Sequence, residues 1–255
     1  MENKDKMYHI GLSKEDIEGA RYAILPGDPG RVESIAKYLD NPRKIGENRE
    51  YTSYVGSLNG ENVLVISTGM GGPSTAICVE ELAIIGITHL IRVGTSGGMQ
   101  LDVMPGDVVV ATGAIRQEGT SKEYLPIEYP AVADIDCSLA LRESAKELGL
   151  TCHTGVVQCK DSFYGQHSPN KMPVSYELLN KWDAWIKGGA LCSEMETASL
   201  FTVASTLRLH AGAVLLVIWN QEREKQGLPQ EDCFDTDRAI RVAIGAIRKL
   251  IDNNK

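Results

Sequence analysis

The residues best suited to chemistry lie in Ile91-Arg92-Val93-Gly94-Thr95-Ser96-Gly97-Gly98. The run Thr88-His89-Leu90-Ile91 ends in an arginine and then breaks into three glycines with two hydroxyls among them. A strand that empties into such a turn lets backbone approach a ligand closely. Free N–H groups, hydroxyls and one guanidinium together cradle an oxyanion. Pro26-Gly27-Asp28-Pro29-Gly30-Arg31 offers a second anion-seeking turn, with the free N–H groups of a helix start beside Arg31. Gln158-Cys159-Lys160-Asp161-Ser162-Phe163-Tyr164-Gly165-Gln166-His167 adds aromatic faces, carboxamides and a cation, which suit stacking and in-plane hydrogen bonding to a planar heterocycle. Ser193-Glu194-Met195-Glu196-Thr197 brings two carboxylates to a helix start. Two residues apart on a helix they point about 200° apart, so they make no metal pair, although one can grip paired hydroxyls. Each stretch also has a plainer reading: a solvent-facing arginine, a loop packed on its own aromatics, or carboxylates matched to a helix dipole.

Positioning these groups requires strands that stop where the glycines begin. Arg21-Tyr22-Ala23-Ile24-Leu25 reads as the first strand, and Val32 to Leu39 has helical spacing after the turn. Arg49 to Tyr54 alternates like a strand, and Leu58-Asn59-Gly60-Glu61 reads as a hairpin turn into Val63-Leu64-Val65-Ile66. Ser67-Thr68-Gly69-Met70-Gly71-Gly72-Pro73-Ser74 is a second glycine-rich junction, with Pro73 at the start of a helix that ends at Gly86. Its spacing does not fit G-x-G-x-x-G and the Walker lysine is missing, which argues against a dinucleotide or ATP fold. Val108 to Val110, Cys152 to Val157 and Val214 to Ile218 read as further strands. Ser138 to Gly149, Tyr176 to Trp185, Ala198 to Leu207 and Thr236 to Ile251 read as helices, Trp182 and Trp185 anchoring theirs to the core. Ser13 to Gly19 looks like a polar helical patch, 116–134 like a long surface excursion, and 222–236 like loop. Near-continuous apolar strands separated by helices predict an α/β fold, a mostly parallel sheet with helices on both faces. No repeat or linker divides the chain, so one domain is expected over 1–255.

The 255 residues, 43% of them apolar, can bury a full-sized core. A net charge of −8 argues against a nucleic-acid partner. No apolar run approaches the roughly 18 residues of a membrane span. Met1-Glu2-Asn3-Lys4-Asp5-Lys6 lacks the apolar centre of a signal peptide. The six cysteines form no C-x-x-C pair and read as reduced thiols, so a cytoplasmic protein is expected.

Pro26-Gly27-Asp28-Pro29 with Arg31, Arg49-Glu50, Ser67 to Ser74, Arg92-Val93-Gly94-Thr95 and Ser193-Glu194-Met195-Glu196 occur in the order and spacing of the hexameric nucleoside phosphorylases. The chain resembles that family from about Tyr8 to Ile251, and within it the branch that acts on uridine. Each motif alone is weak; five in order are strong. The resemblance implies a central mixed sheet, a hexamer built of dimers, and reversible phosphorolysis of a nucleoside with inorganic phosphate as co-substrate and no required cofactor. It implies a phosphate site at Gly27, Arg31, Arg92 and Thr95, with Arg49 lent across the dimer interface. Met195 and Glu196 would hold the ribose, and His9, by itself a surface histidine, would reach the neighbour's ribose 5′-hydroxyl. Similar enzymes hold a potassium ion at the dimer interface, at positions matching Glu50, Met70 (through its carbonyl) and Ser74.

Purine-specific relatives carry an aspartic acid where this chain has Asn220, and an amide cannot act as that general acid. Phe163 and Gln166 match the positions that contact and recognise uracil. Two arginines expected beside the base are absent: Ser168 and Gln221 stand in their places. Lys160 is then the candidate to offset charge on O2 or O4 of departing uracil, with Gln221 beside the base and Arg92, Glu196 and Lys160 as the catalytic set. The alternatives are a purine nucleoside phosphorylase or hydrolase of the same fold, or a non-catalytic nucleoside-binding protein. A hydrolase has little use for Arg31, Arg49 and Arg92 around one anion, and neither has a pure binder.

Overall fold

The computed structural model describes residues 6–254, so most of the stretch read for a signal peptide lies outside the described residues. In chain order the elements begin with β1 (Tyr22–Pro26), α1 (Val32–Ala36), β2 (Asp40–Asn48), β3 (Tyr51–Leu58), β4 (Glu61–Ile66) and α2 (Gly72–Ile85). Then come β5 (His89–Gly98), β6 (Val108–Gln117), α3 (Thr120–Tyr124), β7 (Ala131–Val132), α4 (Ile135–Glu147) and β8 (Cys152–Lys160). The last are α5 (Phe163–His167), α6 (Ser175–Lys187), β9 (Cys192–Glu194), α7 (Thr197–Thr206), β10 (His210–Asn220), α8 (Gln221–Lys225) and α9 (Asp237–Asn253).

All five residues of β1 are buried because both of its faces are covered. Ala23 and Leu25 point into one core with Val79, Leu82, Leu200 and Phe201 of α2 and α7. Tyr22 and Ile24 point into the opposite core with Leu141, Ile240, Ile244 and Ile247 of α4 and α9. That period of two turns an unbroken apolar run into a two-faced central strand. Among the described residues ten strands form one mixed sheet in the order β10-β6-β8-β9-β5-β1-β4-β3-β2, with β7 alongside β6. Its centre is parallel, β4 with β1, β1 with β5 and β5 with β10. Because β10 also pairs with β5, the strands β5, β10, β6, β8 and β9 close into a ring.

Several expectations are corrected. Ser13 to Gly19 forms turns, not helix, and α1 stops at Ala36. β2 was invisible as Asp40-Asn41-Pro42-Arg43-Lys44, a polar string on an exposed strand. The segment 116–134 is no simple surface excursion: Arg116, Glu118 and Ser121 are buried, and it holds α3 and β7. Glu118 ties it together by accepting from Ser121 N at 2.8 Å and Ser199 Oγ at 3.0 Å. A short helix, Gln221–Lys225, takes up the first residues of the stretch 222–236 expected as loop. Trp182 is buried with Met99 and Ala190, as an anchor should be, and Trp185 packs on the same cluster. All six cysteines are free thiols. Among the described residues no helix is long and apolar enough to cross a membrane.

Candidate active site

A cavity of about 680 Å³ opens where the parallel strands end, the place where α/β sheets present loops to ligands. Gly27 and Arg31 reach it from the turn after β1, Gly69 and Met70 from the turn after β4, and Arg92 and Thr95 from β5. Met195 and Glu196 enter from the link between β9 and α7, and Lys160, Phe163 and Gln166 from the end of β8 and from α5. Glu50 also lines it.

Arg92 organises the floor. Its Nε donates to Glu194 Oε2 at 3.1 Å and its Nη2 to Glu196 Oε2, all three side chains being almost fully buried. The two carboxylates converge because Glu194 ends a strand and Glu196 sits at the cap before α7. The helical divergence expected from their spacing therefore does not apply. Glu194 also accepts from Glu196 N at 2.9 Å and Thr197 N at 3.0 Å, which caps α7. Gly71 N donates to Glu196 Oε1 at 2.6 Å. Arg92 Nη1 has no partner although it is buried. A buried guanidinium N–H without an acceptor is costly unless a ligand supplies one. Gly94 makes room for this arginine: a Cβ there would stand 2.7 Å from Arg92 Nη2 and from Leu215 Cδ2.

Charge in the cavity is mixed. Burial holds Arg31 below its ordinary value, Asp28 at 3.8 Å opposes that, and the nearby Arg92 cation adds to it. Arg92 is held firmly charged, because Glu196 and Glu194 outweigh its desolvation. Burial raises the Glu196 carboxyl, with Arg92 pulling against and Glu194 adding to the rise. Burial lowers Lys160, and Glu194 pulls it back.

Lys160 is no surface lysine. Its Nζ lies 2.6 Å from Ser193 Oγ and 3.3 Å from the Glu194 carbonyl. Phe163 is half exposed, its ring 4.2 Å from that of His167. A second cavity of about 690 Å³ adjoins the first and shares Lys160, Gln166, His167 and Trp219 with it. Gln221 lines this second cavity and touches the first only by accepting a hydrogen bond from Gln166 Nε2 at 3.0 Å. Asn220 lines neither. Its Nδ2 donates to the Gln100 and Val103 carbonyls and its Oδ1 caps α8, so here the residue is architectural. Ser168 likewise faces neither cavity.

His9 and Arg49 stand outside this chain's cavity. The His9 ring lies 2.7 Å from Glu81 Oε1, and the Arg49 guanidinium sits 5.4 Å from the centre of the Tyr8 ring on left-handed backbone. Ser74 Oγ lies 2.7 Å from Glu50 Oε1 and also within hydrogen-bond reach of the Thr68 carbonyl, so its one proton serves either of the two. Among the described residues no cluster of three His, Cys, Asp or Glu side chains could hold a metal ion. Sequence reasoning missed Glu194 and Ser193 as participants. Their signal was the strand-like Cys192-Ser193-Glu194 placed just before the helix.

Comparison with known proteins agrees with this geometry. The Uridine phosphorylase of Treponema pallidum (strain Nichols) is 56% identical over 247 residues, covering 97% of this chain and 95% of that protein. The Uridine phosphorylase of Escherichia coli (strain K12) is 41% identical, covering 98% and 100%. The Guanosine phosphorylase of Halorubrum lacusprofundi is 37% identical, covering 96% and 99%. The family described as the Phosphorylase superfamily matches residues 21–252, and the chain belongs to it.

Proposed function

We infer that the chain catalyses reversible phosphorolysis of uridine to uracil and ribose 1-phosphate. The observation that carries this is the unpartnered Arg92 Nη1 at a cavity floor that also holds Glu196. An anion-seeking donor and a carboxylate able to grip ribose hydroxyls then face one small molecule. In the reaction the C1′–N1 bond breaks, its electron pair leaves with uracil, and a phosphate oxygen bonds C1′. Gly27, Arg31, Arg92 and Thr95 hold the phosphate beneath C1′, where it is both nucleophile and partner to the oxocarbenium-like centre. Glu196 and Met195 hold the ribose; Phe163 and Gln166 take the base, with Gln221 behind Gln166. Lys160 offsets the charge on O2 or O4 of departing uracil, directly or through water, and Lys160→Ala lowers kcat about tenfold or more. An unchanged kcat would dispose of that role.

Arg49 and His9 complete the site of a second copy, which makes the working unit at least a dimer and, with the family, a cytoplasmic hexamer built of dimers. Their position outside this chain's own cavity supports the assignment. The Glu50 carboxylate and Ser74 hydroxyl stand together and fit a hard alkali cation. With the Met70 carbonyl they would hold a potassium ion, whose charge offsets that of Glu50. No other cofactor is needed.

Absorbance-monitored cleavage of uridine and of inosine, each with and without phosphate, tests the reading. Phosphate-dependent release of uracil alone is expected. Turnover of inosine would make it a purine enzyme, phosphate-independent turnover a hydrolase, and binding without turnover a sensor.

A further inference from the structure

Glu81 lies inside α2 and is only 9% exposed, on a helix that also buries Cys78, Val79, Leu82 and Ile85. A carboxylate in such a place is costly unless donors surround it. The turn at Tyr8-His9-Ile10 supplies them. His9 N stands 3.1 Å from both Oε1 and Oε2, and Ile10 N donates to Oε2 at 2.8 Å. The His9 ring brings its Nδ1 to 2.7 Å from Oε1. From β2, Asn48 Nδ2 donates to the His9 carbonyl at 2.7 Å. The main chain and the ring of one histidine are thus fixed by residues on two different elements.

Those contacts also decide which ring nitrogen carries the proton. Backbone N–H groups can only donate, so Glu81 meets the turn as an acceptor, and Nδ1 brings a proton to it. In the neutral ring Nε2 is then bare. A carboxamide in place of the carboxylate would keep its oxygen for the two backbone N–H groups and turn its own N–H toward Nδ1. The ring proton would then move to Nε2. A hydroxyl facing Nε2 tolerates either state, because it donates or accepts; an ammonium, which only donates, does not.

We propose that Glu81 is a positioning residue that holds His9 with its proton on Nδ1, so that the bare Nε2 accepts from the ribose 5′-hydroxyl in a neighbouring copy's site. The inference rests on the reading of the chain as a uridine phosphorylase with His9 lent to a second copy. Glu81 lines neither cavity of its own chain and acts through the histidine alone. A bare nitrogen selects sugars whose 5′ group has a proton to give, and a 5′-deoxynucleoside has none.

The test is steady-state phosphorolysis of uridine, 5′-deoxyuridine and 5′-amino-5′-deoxyuridine by the full chain. At about pH 8 a free imidazole is neutral and an alkyl amine is charged. Wild type, His9→Ala, Glu81→Ala, Glu81→Gln and the double variant His9→Ala/Glu81→Ala are compared, with thermal melts of each. Glu81→Ala should lower the uridine-to-5′-deoxyuridine ratio of kcat/KM about tenfold or more, and should add nothing once His9 is alanine. Equal losses on both substrates would overturn the proposal, since a merely structural role moves both together. Glu81→Gln should keep that ratio within about threefold, yet lose about tenfold on the 5′-ammonium sugar relative to uridine. Wild-type selectivity among the three sugars in Glu81→Gln would overturn the proposal too. If Glu81→Ala does not melt cooperatively, Glu81→Gln decides alone. A wild type that cleaves no uridine removes the functional reading and this inference with it. A ratio unmoved by His9→Ala removes the lent histidine and, again, the inference. A ratio moved by His9→Ala but not by Glu81→Ala removes the inference alone.

Discussion

Arg92 on β5 and Arg116 on β6 are both buried, at 4% and 8% exposure, and each follows an apolar run through an isoleucine. Arg116 spends its donors on one loop: Nη1 on the Pro126 and Tyr129 carbonyls, Nη2 on those of Ser121 and Leu125, Nε on Ser121 Oγ. Arg92 is bound to two carboxylates and keeps Nη1 unpartnered beside a cavity. The first is a clamp that satisfies backbone oxygens; the second is a cation held in place with one donor in reserve. Burial and charge alone do not separate these two arginines; the unspent donor of one that lines a cavity does.

Exchanging each arginine for methionine tests that distinction most severely. Arg92→Met should lower kcat/KM for uridine by about a thousandfold. Arg116→Met should leave kcat/KM within about threefold while costing about 3 kcal/mol of stability, because several carbonyls lose their donor. Kinetics and denaturant melts read the two effects, and a reversal of roles would sink the comparison. Phosphate binding is the next measure. At a hundred times its Kd, inorganic phosphate should add about 2.7 kcal/mol of stability to the wild type and to Arg116→Met. Arg92→Met should gain almost nothing, and an undiminished shift there would place the anion elsewhere.

A smaller effect is expected from Gly94→Ala, whose new methyl meets the Arg92 guanidinium. KM for phosphate should rise about tenfold with little change in the KM for uridine; a pure stability loss would mean the arginine has room to shift. The smallest effect is on pH. The folded chain holds the Glu196 proton more tightly than the unfolded chain does. Its contribution to stability is therefore present below the unfolded pKa and lost as pH rises through the raised one. Activity runs the other way, because the anion grips the sugar. The acid limb of kcat/KM should lie above the ordinary carboxylate value of 4.5 and persist in Arg116→Met. A limb at or below that value would contradict the assignment.

The strands that carry the site were legible because burial on both faces writes them as apolar runs, as in Tyr22 to Leu25 and Val214 to Val217. The glycine-rich turns were legible because they must bend: Gly69 takes φ 71°, and a Cβ there would meet Ser74 Oγ at 2.6 Å. β2 was not, since an exposed strand needs no apolar residue. The fold of 116–134 was hidden because its polar residues are buried by pairing with one another, which no periodicity announces. Glu194 was misjudged for a different reason: two residues of spacing mean one thing on a helix and another across a strand end. The Lys160–Ser193–Gln166 contacts join residues up to 33 positions apart, and only the folded chain brings them together.

A closed ring of strands offers no edge to another molecule. The path beyond β1 ends instead in β2, where Asp40, Pro42, Arg43, Lys44 and Glu47 lie on a strand with two register breaks. Proline withholds an N–H, like charges resist stacking, and the breaks twist the margin away from flatness. The long sheet is thereby guarded against edge-to-edge aggregation, so the chain should stay dispersed at high concentration with its substrates absent.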